Sequence, residues 1–243
     1  MDWHARYTQQ AGWTSQLRAF LFNQAGLHSA AAVLDLGCGT GALLVDFASR
    51  TGLHGLDLDL DALRQSRQHA PAARLTCADA ARLPYAPAAF GAVFCHFTLL
   101  WVQDPFQAVL EMRRVTRPGG AVLALAEPDY GGRVDYPPEL AELGVWQAAA
   151  LRRQGADVNM GRKLAAAFSR AGLKRVQTGV MGGQWQGAPS AHELELEWQT
   201  LSGDLGGLAP AGKLDELRAL NERAWALGER VLYVPTFYAW GVV

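Results

Sequence analysis

The chain has 243 residues, half of them hydrophobic, and is therefore long enough to bury the core of a single α/β domain. Its formal net charge of -1 provides no basic surface of the kind that binds nucleic acid, so we expect neither DNA nor RNA as a partner. The three cysteines form no C-x-x-C pair and no two histidines have metal-ligand spacing, so we expect no metal site.

The beginning of the chain predicts a helix. Residues 8–27 place Trp13, Leu17 and Phe20 at helical spacing, and residues 1–28 are interpreted as an N-terminal cap helix. The first residues lack the basic and apolar regions of a signal peptide, and the longest apolar stretch, residues 91–102, is too short to span a bilayer. We therefore expect a cytoplasmic protein without a membrane span.

A glycine turn follows the first predicted strand. The apolar strand that begins at Val33 ends in three alternating glycines, Gly37, Gly39 and Gly41, and a helix is predicted over residues 42–49. Glycine has no Cβ, so it readily adopts positive φ and lets a ligand touch the main chain. A strand, a glycine turn and a helix with free N–H groups at its start make a nucleotide-type site.

Predicted strands and helices then alternate along the chain. The predicted strands cover residues 53–58, 73–77, 92–97 and 121–127. The predicted helices cover residues 60–68 and 104–116. Alternation of this kind implies a parallel sheet with helices on both faces.

The second half of the chain departs from this alternation. Prolines, glycines and tyrosines predict a loop over residues 128–138. Helices are then predicted over residues 139–153 and 161–171, and strands over 176–180 and 236–243. Residues 190–230 form a second helical excursion, whose spacing continues to Val231, and we expect it to close over the site as a lid. A single domain is expected, with a ligand-binding core at residues 29–130 and a substrate side at 131–243.

The glycine turn alone leaves the ligand open. Gly37-x-Gly39-x-x-Ala42 satisfies the dinucleotide fingerprint of an NAD(P)-dependent oxidoreductase, which also expects an acidic residue about 20 positions further on. Asp57 occupies that position at the end of the second predicted strand. Its carboxylate can accept both hydroxyls of a ribose, although the same residue type also caps helices.

Further motifs resemble one family. Asp35, placed before the first glycine, and the third glycine, Gly41, resemble motif I of the class I S-adenosyl-L-methionine (SAM) methyltransferases. Residues 79–85 resemble the family's Asp-Ala-x-x-Leu-Pro-Phe segment, residues 93–102 its fourth strand, and residues 114–120 its Arg-Val-Leu-Lys-Pro-Gly-Gly turn. The chain is similar to the ubiquinone-biosynthesis and generic small-molecule type (methyltransferase domain 11), and departs from it at Gly91, where the family usually has Asp.

This resemblance implies a Rossmann-like α/β fold with a seven-stranded sheet whose last strand is antiparallel. It implies a SAM-dependent enzyme that methylates a small-molecule acceptor and releases S-adenosyl-L-homocysteine (SAH). It also implies a set of cofactor-binding residues, namely Asp35, Gly37, Cys38, Gly39, Thr40, Gly41, Asp57, Leu58, Asp79, Ala80, His96 and Phe97. Tyr7 and Trp13 of the cap helix are candidates to close over the methyl group. A non-catalytic SAM-binding module, which would lack a closed substrate chamber, stays open as an alternative.

Because the methyl group of SAM is already activated, the resemblance implies no obligatory catalytic side chain. If the acceptor is a neutral hydroxyl, a base is needed, and four candidates lie at the carboxyl ends of the fourth and fifth predicted strands: His96, Glu127, Asp129 and Tyr130. For His96, packing in the core is an equally good interpretation.

Overall fold

A computed structural model describes residues 2–47, 52–182, 188–205, 207–210 and 212–243 of the chain. The strands are β1 (Val33–Leu36), β2 (Leu53–Asp57), β3 (Arg74–Cys77), β4 (Phe90–Cys95), β5 (Thr116–Pro128), β6 (Val134–Tyr136), β7 (Lys174–Met181), β8 (Val231–Tyr233) and β9 (Thr236–Val242). The helices are α1 (Trp3–Trp13), α2 (Ser15–Gln24), α3 (Leu60–His69), α4 (Pro105–Val115), α5 (Ala141–Arg153), α6 (Leu164–Arg170), α7 (Ala191–Asp204) and α8 (Lys213–Ala226).

Seven strands form one sheet in the order β3-β2-β1-β4-β5-β9-β7. Neighbours from β3 to β5 are parallel, whereas β9 is antiparallel to both β5 and β7. The sheet therefore has the architecture that the family resemblance implied, with its last strand reversed.

Both faces of the sheet are covered by helices, because successive side chains of a strand point to opposite faces. On one face, Val93 and Cys95 pack with α4 and α6. On the other, Phe94 packs with α2, α3 and the 3-10 turn Leu44–Phe47. The strand order reverses between β1 and β4, so the carboxyl ends of these two strands border the crevice where parallel α/β sheets bind ligands.

A helical layer lies over that crevice. The helices α5, α7 and α8 share a small apolar cluster of their own, which includes Leu143, Leu201 and Leu217. The side-chain amide of Gln9 in α1 donates a hydrogen bond to the carbonyl of Glu193 in α7. The two segments expected to close over the site, the N-terminal helices and the excursion after residue 190, are therefore in contact.

Four local predictions are wrong or incomplete. The helix predicted over residues 8–27 is two helices, α1 and α2, which meet at Thr14. The helix predicted over residues 42–49 is a single 3-10 turn, Leu44–Phe47, and its last two positions lie outside the described residues. The loop predicted over residues 128–138 contains β6, and Val231 begins β8, which pairs with β6, instead of continuing a helix. Neither β6 nor β8 is longer than three residues, so no period was available to detect them.

No helix in the described part of the chain is both long and apolar enough to cross a membrane.

Candidate cofactor and acceptor site

A cavity of about 610 Å³ opens at the carboxyl ends of β1, β2 and β4. One part, here called the strand side, is lined by the glycine turn and by residues that follow the strands: Asp35, Gly37, Cys38, Gly39, Asp57, Leu58, Asp79, Ala80, His96 and Phe97. The other part, the helix side, is lined by Arg6, Tyr130, Gln147, Leu151, Gln154, Thr200 and Asp204. A volume of this size is typical of pockets for small molecules.

The three glycines of the turn adopt positive φ, as their spacing predicts, with values of 75°, 50° and 83° for Gly37, Gly39 and Gly41. The groups that press against them belong to the protein itself. A Cβ on Gly37 would lie 2.3 Å from the side chain of Thr98, and one on Gly39 would lie 3.1 Å from the ring of Tyr7. The expectation that the glycines make room for a ligand alone is therefore incomplete, since they also let other elements pack on the turn.

Two of the expected ligand residues support the turn without lining the cavity. The hydroxyl of Thr40 is buried and lies 2.9 Å from Nδ1 of His4 in α1. Gly41 faces α3, where an added Cβ would lie 2.6 Å from the hydroxyl of Ser66. Both are absent from the lining formed by the described residues, so their placement favours a structural role.

Asp35 is a buried carboxyl group that faces the cavity. Only 2% of the residue is exposed, and within the described residues its side chain has no hydrogen bond or ion pair. Burial raises the pKa of Asp35 well above its ordinary value, and the nearby carboxylate of Asp57 raises it further. Such a group favours a cation, because a buried carboxylate is stabilised only when a positive charge or hydrogen-bond donors face it.

Asp57 is held in place by the backbone. Its Oδ2 accepts the N–H of Gly39 at 2.7 Å and its Oδ1 accepts the N–H of Asp59 at 2.9 Å, which fixes the carboxylate beside the glycine turn. The helix cap in this region is a different residue, Asp59, which accepts the N–H groups of Asp61 and Ala62. The placement of Asp57 therefore favours the ligand interpretation over the helix-cap interpretation.

Asp79 serves a turn and lines the cavity. Its Oδ1 accepts the N–H of Ala81 at 2.8 Å, a contact that is typical of an Asp in a turn. Asp79 also lies in the cavity lining with Ala80, on the same side as Asp57 and Leu58. Each carboxylate oxygen has two lone pairs, so a turn contact leaves acceptor capacity for a ligand.

The turn after β4 carries His96 and Phe97 into the cavity, and Phe97 adopts a positive φ of 53°. The Nε2 atom of His96 lies 2.9 Å from the hydroxyl of Thr14. Burial lowers the pKa of His96 to about 3, and the charge of Arg18 lowers it as well. His96 is therefore neutral at physiological pH and a weak base.

Glu127 holds this turn from the neighbouring strand. Its fully buried carboxylate accepts three backbone N–H groups, from Thr98 at 3.0 Å, Leu99 at 2.9 Å and Leu100 at 3.2 Å. Burial raises the pKa of Glu127 to about 7, although the three hydrogen bonds act in the opposite direction. Glu127 is not among the described residues that line the cavity, and its contacts favour a positioning role.

The other two base candidates lie in different surroundings. Asp129 is buried and forms a bidentate ion pair with Arg162. It is not among the described residues that line the cavity. Tyr130 lines the helix side of the cavity, and burial raises the pKa of its phenol, with opposing contributions from the nearby charges of Arg6 and Asp204. Tyr130 therefore stays protonated at neutral pH and is suited to donate a hydrogen bond.

The sequence predictions missed most of the helix side. In α1, the residues Trp3, Arg6, Tyr7 and Gln10 line the cavity, and their i, i+3, i+4, i+7 spacing is a signal that identifies one helix face. Tyr7 lies over the glycine turn, where the cap helix was expected to close. Trp13, in contrast, is 47% exposed and is not among the described residues that line the cavity. Gln147, Gln154 and Asp204 lie on helices far away in sequence, and no local pattern distinguishes them from surface residues.

Within the described residues, no group of three or more His, Cys, Asp or Glu side chains is arranged to hold a metal ion.

Two curated proteins are similar to this chain in sequence, and one solved structure is similar to it in fold. A malonyl-[acyl-carrier protein] O-methyltransferase of Pseudescherichia vulneris is 34% identical over 117 residues, covering 48% of this chain and 47% of that protein. A demethylmenaquinone methyltransferase of Renibacterium salmoninarum is 34% identical over 124 residues, covering 49% of this chain and 52% of that protein. The chain spans about half the length of these curated relatives.

The third is a solved structure, the geranyl diphosphate C-methyltransferase of Streptomyces coelicolor A3(2) in complex with Mg²⁺, geranyl diphosphate and SAH. It matches with a TM-score of 0.54 and 16% identity, covering 87% of this chain and 71% of that chain, which shows a likeness of fold. Residues 34–124 match the family model described as a methyltransferase domain, and this range contains β1 to β4 and most of β5. These residues are therefore similar to the methyltransferase domain family that the motifs resemble.

Proposed function

We propose that the protein is a SAM-dependent methyltransferase that acts on a small-molecule acceptor. The methyltransferase domain and the two methyltransferase relatives support this activity, and the relatives' different acceptors leave the substrate to be identified. The observation that carries the choice of cofactor is the buried carboxyl group of Asp35 beside the glycine turn, which has no partner within the described residues.

The charge of the strand side separates SAM from a nicotinamide dinucleotide. Asp35, Asp57 and Asp79 line it, and the described residues contribute no Lys or Arg side chain there. A dinucleotide would bring its pyrophosphate, with two negative charges, to the glycine turn next to Asp35, which is electrostatically unfavourable. SAM carries an ammonium and a sulfonium group, and either cation would stabilise the Asp35 carboxylate.

The residues present fit the cofactor. As the family resemblance implies, Asp57 would accept the ribose hydroxyls and Asp79 the adenine amino group, with Leu58, Ala80, His96 and Phe97 packing around them. Gly37, Cys38 and Gly39 would contact the cofactor through the turn, which Thr40 and Gly41 support from behind. When bound, SAM supplies a methyl group that is already activated by its positively charged sulfur.

The protein's own contribution to the reaction is positioning and exclusion of water. Because the group that leaves such a methyl donor would be a neutral thioether, the protein would need no side chain that acts as a general acid. Two helices on the helix side, α5 and α7, hold the acceptor in line, and we propose that α1 and α7 close as a lid. This chamber is what a non-catalytic binding module would lack.

Calorimetry of the purified chain with SAM, SAH and NAD tests this proposal. We expect SAM and SAH to bind and NAD not to bind. The variant Asp35→Asn should bind SAM more weakly, because it removes the charge that the cation pairs with. Micromolar binding of NAD together with no binding of SAM would overturn the assignment. Screening a small-molecule library for SAH release would then identify the acceptor.

A further inference from the structure

Arg6 is a buried cation on the helix side of the cavity. Only 8% of the residue is exposed, and it is the one Lys or Arg side chain among the described residues that line the cavity. Its guanidinium donates to Oε1 of Gln9 at 2.6 Å and lies 4.9 Å from the centre of the Trp13 ring. Its Nε atom is buried and has no hydrogen-bond partner in the part of the chain that the structure describes.

No carboxylate of the described residues lies within ion-pair distance of Arg6. Glu197 and Asp204 lie near enough to raise its pKa, while burial lowers it. The carboxylate of Asp204 accepts a hydrogen bond from the amide of Gln154 instead. Burying a guanidinium without a counterion is costly, so the arrangement favours an anion supplied from outside the chain.

A smaller cavity of about 40 Å³ continues behind Arg6 and Gln147, which line both spaces. Arg133 and Arg230 line it, and both pair with the single buried carboxylate of Asp135, at 2.6 and 2.7 Å. One carboxylate neutralises only one of these two arginines. Glu197 also lines this space, but among the described residues it forms no ion pair with Arg6.

We propose that the methyl acceptor carries a carboxylate attached to an apolar body, and that this carboxylate pairs with Arg6 on the helix side. The inference rests on the proposed methyltransferase function and names its substrate class. Leu151 and Trp101 supply apolar surface in the same cavity, and Gln147 supplies an amide that can donate to an anion. A planar guanidinium with free N–H groups is well suited to a carboxylate, which it binds through two parallel hydrogen bonds.

SAM also has a carboxylate, and the surroundings of Arg6 argue against that partner. Arg6 lines the cavity together with Tyr130, Gln147 and Asp204 of the helix side, and it also lines the smaller cavity behind them. The strand-side carboxylate Asp35 instead lies within reach of the charge of Arg18. Arg6 is therefore assigned to the acceptor, and the experiment below separates the two carboxylates.

The test uses benzoate and benzamide, which have the same shape and differ in charge, titrated by calorimetry into the protein saturated with SAH. We expect benzoate to bind more tightly than benzamide. We expect Arg6→Gln to weaken the affinity for benzoate by about tenfold or more and to leave the affinities for benzamide and SAH unchanged. We expect Arg6→Lys to retain part of the affinity for benzoate. Arg64→Gln is the matched control, because it removes an equal charge from an exposed position of α3 and should change nothing.

Equal binding of benzoate and benzamide, or benzoate binding that survives Arg6→Gln, would overturn the inference. A loss of SAH affinity in Arg6→Gln with benzoate unaffected would also overturn it, and would assign Arg6 to the cofactor's carboxylate. Failure of the unmodified protein to bind SAM or SAH would contradict the proposed function instead. Titrating benzoate into the protein without SAH distinguishes that case from failure of the inference itself.

Discussion

The two sides of the cavity are built in opposite ways. The strand side comes from one continuous stretch, residues 35–97, in which side chains are fixed by strand ends and by backbone hydrogen bonds. The helix side is assembled from α1, α5, α7 and the turn at Tyr130, which are far apart in sequence. The strand side carries three carboxyl groups and no cation among the described residues, whereas the helix side carries Arg6, Asp204 and several amides. The difference suggests that the rigid sheet edge holds the common cofactor and that the helices set the choice of acceptor.

The largest effect is expected at Glu127, which holds the turn between the two sides. Its pKa rises from 4.5 to about 7 on folding, so between these pH values the folded protein binds one more proton than the unfolded chain. The free energy of unfolding therefore falls as the pH rises from 4.5 to 7. We expect the free energy of unfolding of the unmodified protein, relative to Glu127→Gln, to fall by about 3 kcal/mol between pH 4 and 8. Urea unfolding of both proteins at a series of pH values measures this difference.

His96 provides the control for that experiment, because its sign is opposite. Its pKa falls from 6.5 to about 3 on folding, so its contribution to stability is complete above pH 6.5 and is lost as the pH falls towards 3. In His96→Gln, the free energy of unfolding should therefore no longer fall as the pH drops from 6.5 towards 3. The dependence that Glu127 causes between pH 4.5 and 7 should stay the same. Parallel pH profiles for the unmodified protein and Glu127→Gln would contradict the assignment of the titration to Glu127.

The next effect concerns the strand side alone. Asp57→Ala should weaken SAM binding by roughly 10- to 150-fold, or about 1.5 to 3 kcal/mol, because hydrogen bonds to a charged acceptor are lost. Asp59→Ala is the matched control, since Asp59 caps α3 and faces no ligand in our proposal. It should cost about 1 kcal/mol of stability and leave SAM affinity unchanged. If the two variants exchange these effects, Asp57 is the structural residue and the ribose assignment is wrong.

The strand side was largely predictable from the sequence because each of its residues follows a local pattern. A short apolar run sets each strand, the residue after it lies at the carboxyl edge, and parallel pairing brings these edges together. Asp35 and Asp57 lie in the last residues of β1 and β2, the glycine turn and Asp79 follow β1 and β3, and all but Gly41 and Thr40 of the turn line the cavity.

The helix side was not predictable, since its residues come together only through packing between distant helices. The predicted helical excursion begins at residue 190, where Ser190 and Glu193 cap α7, but its spacing did not indicate which face of α7 would meet the cavity. Arg6 carries no signal of its own, because an arginine in a short helix is usually exposed. Its burial depends on Trp13 and on α7, which lies about 190 residues away in the sequence.

A smaller effect is expected from the four base candidates. His96→Gln, Glu127→Gln, Asp129→Asn and Tyr130→Phe should each lower turnover at saturating SAM and acceptor by less than about tenfold. The neutral His96 is a weak base, Tyr130 stays protonated, and the two carboxylates are engaged by backbone N–H groups or by Arg162. A loss of more than about a thousandfold in one variant, with SAM affinity intact, would establish a dedicated base.

The smallest effect is expected in the motion of the lid, and it tests whether the two sides are coupled. The helices α1 and α7 touch through Gln9 and Glu193, and both line the cavity that the cofactor would enter. SAH bound on the strand side should contact Tyr7 above the glycine turn, and should therefore slow amide hydrogen exchange in α1 and, through it, in α7. We expect slowing of about tenfold at most, because only local opening is suppressed. The helix α6 packs on the sheet away from this layer and should exchange at the same rate with and without SAH. Slowing confined to α1 would mean that the cofactor orders one side only and that closure of α7 awaits the acceptor, whereas no slowing in either helix would contradict the lid.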